Sequence, residues 1–196
     1  FLRSLVKRGL RGVRLVISDA HEGLRQAIAK VLHEASWQRC RVHFMRNLLS
    51  VVPKQAQDAV AALVRMIFAE PDHVSAMAKL HEVARMLEQR FPQAAELLED
   101  AAEDVLAHLH FPREHRRRLH STNPLERLHK EIKRRTRVVG IFPNRDSLMR
   151  MVGTLLAEQD DEWQVMDRRY FSLGSMTKVD ALEGGEDPKE LLAQIA

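Results

Sequence analysis

The chain has 196 residues, 45% hydrophobic and 30% charged, with a formal net charge of +4, which leaves room for one large or two small domains with a real core. Cys40 is the sole cysteine, so an internal disulfide is excluded, and a reducing cytoplasm fits. No apolar run approaches the roughly 20 residues of a membrane helix, no secretory leader is visible, and no membrane association is expected.

Leu2 to Leu10 reads as a helix end stopped near Gly12. Val13-Arg14-Leu15-Val16-Ile17 is a short β-branched run of strand type. An amphipathic helix follows through Leu32, with Leu24, Ala27, Ile28 and Val31 on one face. Trp37 to Val42 alternates apolar and polar, as a second strand would, and His43 to Val52 is helical, with Phe44, Leu48 and Val51 inward. Residues 54 to 110 carry only helical periodicity, in three helices marked by Ala56–Ile67, Met77–Leu87 and Ala94–Leu109. Pro71, Pro92 and Pro112 stand at helix starts. Met66, Met77 and Met86 are expected to fill the core. After the turn Gly140-Ile141-Phe142-Pro143-Asn144 comes a helix from about Asp146 to Gln159. The tail from Gly174, with Gly184-Gly185 and Pro188, is expected to be disordered or loosely helical. No repeat of fixed period is present.

The charge is unevenly placed. From Arg113 to Arg137, ten basic side chains face Glu114, Glu126 and Glu131, a net of +7, so the rest of the chain sums to −3 against the total of +4. Such local basicity suits a phosphate-binding surface, although a solvated helix face has the same composition.

Two carboxylates stand out. Asp19 ends the first strand, where open α/β sheets place ligand-binding groups; Asp19 with Glu22 also makes a capping box. Glu126 lies in Asn123-Pro124-Leu125-Glu126, at the start of a helix inside the basic segment. As a cap, Asn123 would close the helix, Pro124 would take its first position, and Glu126 would reach back. At 100° per residue, His129, Lys130 and Lys133 lie within about 60° of Glu126, and Leu125, Leu128 and Ile132 form an adjacent apolar stripe. Arg134, Arg135 and Arg137 extend the positive surface, and its contacts with nucleic acid would be largely independent of sequence. Cys40 and His43 supply two of the four ligands of structural zinc; His108, His110, His115 and His120 are candidates for the others only by abundance, and a packing or hydrogen-bonding role for the pair is favoured. Trp37 and Trp163 fit core or interface positions better than base stacking.

Four blocks carry a resemblance: Val16-Ile17-Ser18-Asp19-Ala20-His21-Glu22-Gly23-Leu24, Cys40-Arg41-Val42-His43-Phe44-Met45-Arg46-Asn47, Ser121-Thr122-Asn123-Pro124-Leu125-Glu126-Arg127-Leu128-His129, and Gly140-Ile141-Phe142-Pro143-Asn144. In this order and spacing the chain resembles the Mutator-type transposases of bacterial insertion sequences, from about residue 1 to Phe171. The resemblance implies an α/β fold, helix-rich overall: a partial ribonuclease H-like catalytic domain with an all-helical insertion. Residues 1–53 would hold the last strands and helices of that core, 54–112 the insertion, 113–172 the catalytic Glu helix with its DNA-facing basic segment and closing helix, and 173–196 a flexible tail.

By the same resemblance, Asp19 and Glu126 match the second and third acids of an Asp-Asp-Glu triad, and Cys40 and His43 match a Cys-x-x-His signature. The triad would hold Mg²⁺ or Mn²⁺, oxygen-seeking ions suited to in-line phosphoryl transfer. The implied activity is metal-dependent DNA cleavage and strand transfer, by a homo-oligomer on transposon ends and target DNA in the cytoplasm, at the nucleoid. Arg116, Arg117, Arg118, Lys130, Lys133, Arg134 and Arg135 are the expected DNA contacts. The family's first Asp belongs upstream of Asp19, but residues 1 to 18 contain neither Asp nor Glu, and the chain begins with Phe1. The expectation is therefore a C-terminal portion, inactive in strand transfer alone. The alternative is a DNA-binding or oligomerisation fragment without chemistry.

Overall fold

The computed structural model describes residues 1–165 and 170–184. It forms two compact units, Phe1–Ser121 and Thr122–Ala196. The described chain is rich in helix, with one small parallel sheet.

In the first unit, α1 (Leu2–Lys7) is followed by Gly9 and Gly12 at φ 109° and 66°, left-handed conformations that glycine adopts without a Cβ penalty. The chain then enters β1 (Leu15–Ser18), α2 (Glu22–Val31) and β2 (Ser36–Arg39). The strands pair in parallel, Leu15 opposite Ser36 and Ser18 opposite Arg39, and α2 makes the crossover that parallel pairing requires. Both strands are shorter than their apolar runs. Ile28 is the buried residue of α2, whereas Leu24, expected on the same inward face, is 38% exposed.

The alternation in β2 reads the other way round from its hydrophobicity. Gln38 is fully buried and Trp37 only half-buried. The reason is hydrogen bonding: Gln38 Nε2 donates to the carbonyls of Arg39 (2.7 Å) and Val105 (3.0 Å), and Gln38 Oε1 accepts the His108 N–H at 2.7 Å. A buried amide is tolerated when its groups are paired in this way. Trp37 instead donates its indole N–H to Ser18 Oγ at 2.9 Å, with the Arg25 guanidinium 4.9 Å above its ring.

From Arg41 onward the unit is helical: α3 (Arg41–Ser50), a 3₁₀ turn (Lys54–Ala56), α4 (Gln57–Ala69), α5 (His73–Glu88), α6 (Pro92–Asp100), α7 (Ala102–Leu106), a second 3₁₀ turn (Ala107–His110) and α8 (Arg113–Leu119). Asp72 caps α5 by accepting the Ser75 N–H at 2.8 Å, and Pro92 opens α6. The third expected helix is broken at Ala101. Glu99 and Asp100 oppose the dipole at the end of α6, while Glu103 and Asp104 favour a fresh start in the first turn of α7. One core joins these helices: Phe44, Leu48 and Val52 pack in the same cluster as Val64, Ile67, Leu80, Val83, Leu98 and Leu106. Met77 borders that core, but Met66 and Met86 are 50% and 57% exposed, contrary to the expectation that all three fill it. Their helices already bury Val64, Ile67, Val83 and Leu87, and the two methionines fall outside that stripe.

The second unit contains α9 (Asn123–Val139), α10 (Arg145–Val165) and α11 (Leu173–Gly184). Gly140, at φ 76°, closes α9, and Asn144 Oδ1 accepts the Ser147 N–H at 2.9 Å at the start of α10. Trp163 is 56% exposed, not a core residue. Of the tail expected over 173–196, the part through Gly184 is helical, with Val179 and Ala181 buried; the rest, 185–196, lies outside the described residues. No helix among the described residues is long and apolar enough to cross a membrane.

Candidate functional site

Asp19 leaves the end of β1 directly into the turn before α2. It does not cap that helix. His21 occupies the cap position, and its Nδ1 accepts the Leu24 N–H at 3.3 Å. The Asp19 carboxylate is therefore released from capping, and its side chain is 56% exposed. The parallel register places the start of α3 beside it: the Cys40 N–H donates to the Ser18 carbonyl at 2.8 Å. Cys40 is fully buried, and His43 lies in the first turn of α3.

His43 Nδ1 lies 2.6 Å from Asp19 Oδ1, within ion-pair distance. The ligand atoms of Asp19, Cys40 and His43 all lie within 4.8 Å of one another. The histidines weighed as partners for a Cys–His zinc site do not join this group: His108 Nδ1 faces Gln38 Oε1 at 3.0 Å, and His110 groups with His73 and Glu103. Arg39 is the nearby cation. Burial lowers its guanidinium from the ordinary arginine value, against the opposing fields of Asp104 and then Asp19.

Two features of this region were not visible in sequence. Gln38 and His108 form a buried hydrogen-bonded link from β2 to the turn after α7. Burial, and next the Arg41 charge, lower His108 from 6.5 to about 3, so its ring is neutral. Arg41 itself is lowered to about 10 by burial, and its guanidinium lies 3.9 Å over the Phe68 ring. Only the position of Arg41 at a strand-to-helix junction hinted at a special environment.

Among the expected DNA contacts of this unit, Arg117 and Arg118 are exposed on α8. Arg116 is committed to backbone carbonyls: Nε donates to Phe111 O at 2.7 Å and a terminal nitrogen donates to Pro71 O at 2.6 Å.

In the second unit, Glu126 lies in the first turn of α9. The frame is one residue off the expected cap. Thr122 holds the cap position, with no capping bond from its side chain, Asn123 is the first helical residue, and Pro124 is the second. The Glu126 N–H bonds the Thr122 carbonyl at 3.0 Å, and Thr122 Oγ1 approaches Glu126 Oε1 at a long 3.4 Å. Lys130 and Lys133 are exposed on the same helix. Arg134 and Arg135 both bond Glu131, at 2.7 and 2.9 Å. The hydrogen bonds from Arg134 and then Arg135 hold the Glu131 carboxyl down at about 2.

The fold and site thus define a helix-rich α/β protein with a carboxylate, an imidazole and a thiol gathered at the end of a parallel strand pair. The chain belongs to the Mutator family of transposases, whose family model matches residues 1–166. It is 47% identical to the transposase of insertion sequence element IS1081 from Mycobacterium tuberculosis over 189 residues, 96% of this chain and 45% of that protein. It is 46% identical to the IS406 transposase of Burkholderia multivorans over 83% of this chain and 42% of that protein. The IS256 transposase in transposon Tn4001 of Staphylococcus aureus is 38% identical over 88% of this chain and 44% of its own length. The chain therefore spans somewhat less than half the length of these relatives.

Proposed function

We propose that this chain is the part of a bacterial insertion-sequence transposase that carries the second and third acids of an Asp-Asp-Glu set, Asp19 and Glu126. The observation that carries the reading is the placement of Asp19: a half-exposed carboxylate at a parallel strand end, relieved of capping by His21 and touched by His43. Residues 1–53 are then the last strands and helices of a ribonuclease H-like core, 54–112 its helical insertion, 113–172 the Glu126 helix with its DNA-facing surface, and 173–196 a tail. The first acid of the set is then supplied from outside residues 1 to 18, which contain neither Asp nor Glu.

Asp19 suits a divalent metal, because His43 approaches one carboxylate oxygen and leaves the other for an oxygen-seeking ion. Asp19 and Glu126 would hold Mg²⁺ or Mn²⁺, which, when bound, lowers the cost of charge developing on attacking and leaving oxygens in DNA cleavage and strand transfer. His43 orients the Asp19 carboxylate, and the buried Cys40 thiol lies within 4.8 Å of both. Arg117, Arg118, Lys130 and Lys133 contact phosphates of transposon-end and target DNA, with Arg134 and Arg135 as a reserve held by Glu131 and Arg116 shaping the surface. The protein works as a homo-oligomer on DNA.

The test is a chain completed upstream with the corresponding part of a relative, assayed on a duplex carrying the element end. Asp19→Asn and Glu126→Gln should each abolish metal-dependent cleavage and leave DNA binding within about twofold of the parent. Cleavage at the parental rate by Glu126→Gln overturns the catalytic reading. The acid-free stretch 1 to 18 favours a second reading for the 196-residue chain by itself, DNA binding without chemistry; metal-dependent cleavage by that chain overturns it.

A further inference from the structure

A cavity of about 400 Å³ opens on the first unit, between the start of α3, the end of α4 and α8. Its size is at the lower end of the range for ligand pockets. Arg41, Arg113, Arg116 and Arg117 line it, and Glu70 is the one carboxylate among its lining residues. These cations are not equivalent. Arg116 is tied to two backbone carbonyls; burial and then Arg113 lower its guanidinium against the opposing fields of Asp72 and Glu114. Arg41 has no carboxylate within ion-pair distance among the described residues. Its guanidinium stacks on Phe68, and burial alone moves its protonation, with no acid opposing the shift.

A partly desolvated guanidinium without a counter-ion is costly, and the planar fork of arginine is shaped for two oxygens of one anion. Among the remaining walls, Glu70 alone carries a charge that opposes an anion. Burial keeps the His108 and His120 rings toward their neutral forms, so they add polar ring nitrogens rather than carboxylates. Lys79, held chiefly by its bond to Glu82, also feels the weaker field of Glu70.

We propose that this cavity is a phosphate-binding pocket that takes a backbone phosphate of nucleic acid, with Arg41 as its half-buried ligand and Arg117 as its exposed one. Arg116 is the fixed wall that sets the width of the pocket. The choice of nucleic acid as the source rests on the reading of the chain as part of a transposase; the pocket chemistry itself does not. The occupant supplies the negative charge that Arg41 lacks, so the pocket registers one phosphate at a fixed distance from the strand-end carboxylate of its own unit.

The experiment uses the 196-residue chain, with fluorescence anisotropy on a labelled duplex at several salt concentrations and thermal unfolding with and without inorganic pyrophosphate. Arg41→Met keeps the packing on Phe68 and removes the charge. It should weaken duplex binding about tenfold and reduce the salt slope by about one. The unfolding temperature should be unchanged or higher, as expected when an unpaired, partly buried charge is removed. Pyrophosphate should raise the unfolding temperature of the parent and not of Arg41→Met. Unchanged duplex binding with lost pyrophosphate protection retains the pocket and assigns it to a free phosphate compound. No change in either assay overturns the proposal. If Arg41→Met does not fold, Arg117→Ala on the exposed rim decides by the same two readouts. Neither readout depends on Glu126 or on catalysis, so failure here is distinct from failure of the cleavage assay.

Discussion

Asp19 and His43 meet at 2.6 Å, one at the end of β1 and the other in the first turn of α3. The backbone bond from the Cys40 N–H to the Ser18 carbonyl fixes the two segments against each other. In the proposed role His43 is a positioning residue, and outer partners of metal ligands typically matter by 10- to 100-fold in affinity. We therefore expect Asp19→Asn to remove Mn²⁺ binding at this end of the sheet and His43→Ala to weaken it about tenfold, read by water-proton relaxation. Equal Mn²⁺ affinity in parent and Asp19→Asn would exclude Asp19 as a ligand.

Gln38 is the polar residue on which the junction of sheet and helices depends. Replacing it by Leu leaves the Val105 carbonyl and the His108 N–H without their partner. Each buried group stranded in this way costs about 1–3 kcal/mol. Gln38→Leu should lower stability by about 2–4 kcal/mol in urea denaturation; a loss under about 0.5 kcal/mol would mean that water replaces the amide.

His108 gives the fold a sensitivity to acid. Its folded value of about 3 lies below the 6.5 of an ordinary histidine. Between these values the unfolded chain binds a proton that the folded chain refuses, so stability is full above about pH 6.5 and falls as pH drops toward 3. The loss at the acid end is on the order of a few kcal/mol. His108→Asn should flatten this slope, leaving the part due to His110 and His120, which burial also lowers. Denaturation midpoints measured from pH 7 to pH 4 provide the check.

Glu131 restrains the basic helix α9. It holds Arg134 and Arg135 in exposed i,i+3 and i,i+4 pairs, which are worth only a few tenths of a kcal/mol each to stability. Glu131→Gln should therefore leave the unfolding temperature nearly unchanged and raise duplex affinity a few-fold at low salt, as two guanidinium groups become available to phosphate. Lys130→Ala and Lys133→Ala should act in the opposite direction. Weaker DNA binding by Glu131→Gln would show that the ion pairs present the arginines to DNA rather than withhold them.

Local chemistry and periodicity determined much of this protein by themselves. The β-branched run before Asp19, the helical periodicity of residues 54 to 110 and the glycine that ends α9 are each set by neighbours along the chain, and all appear where the sequence indicates, within a few residues. The concentration of positive charge from Arg113 to Arg137 is likewise a property of the sequence. Tertiary structure decided what depends on partners distant in sequence. Asp19 and Asn123 both look like caps, yet the cap positions fall to His21 and Thr122, because a cap is chosen by where the incoming chain turns. Gln38 turned inward and Met66 and Met86 outward because hydrogen-bond partners and the width of the buried stripe outrank hydropathy. Arg41 is an ordinary arginine in sequence; only its packing over Phe68 partly desolvates it with no acid within ion-pair distance among the described residues.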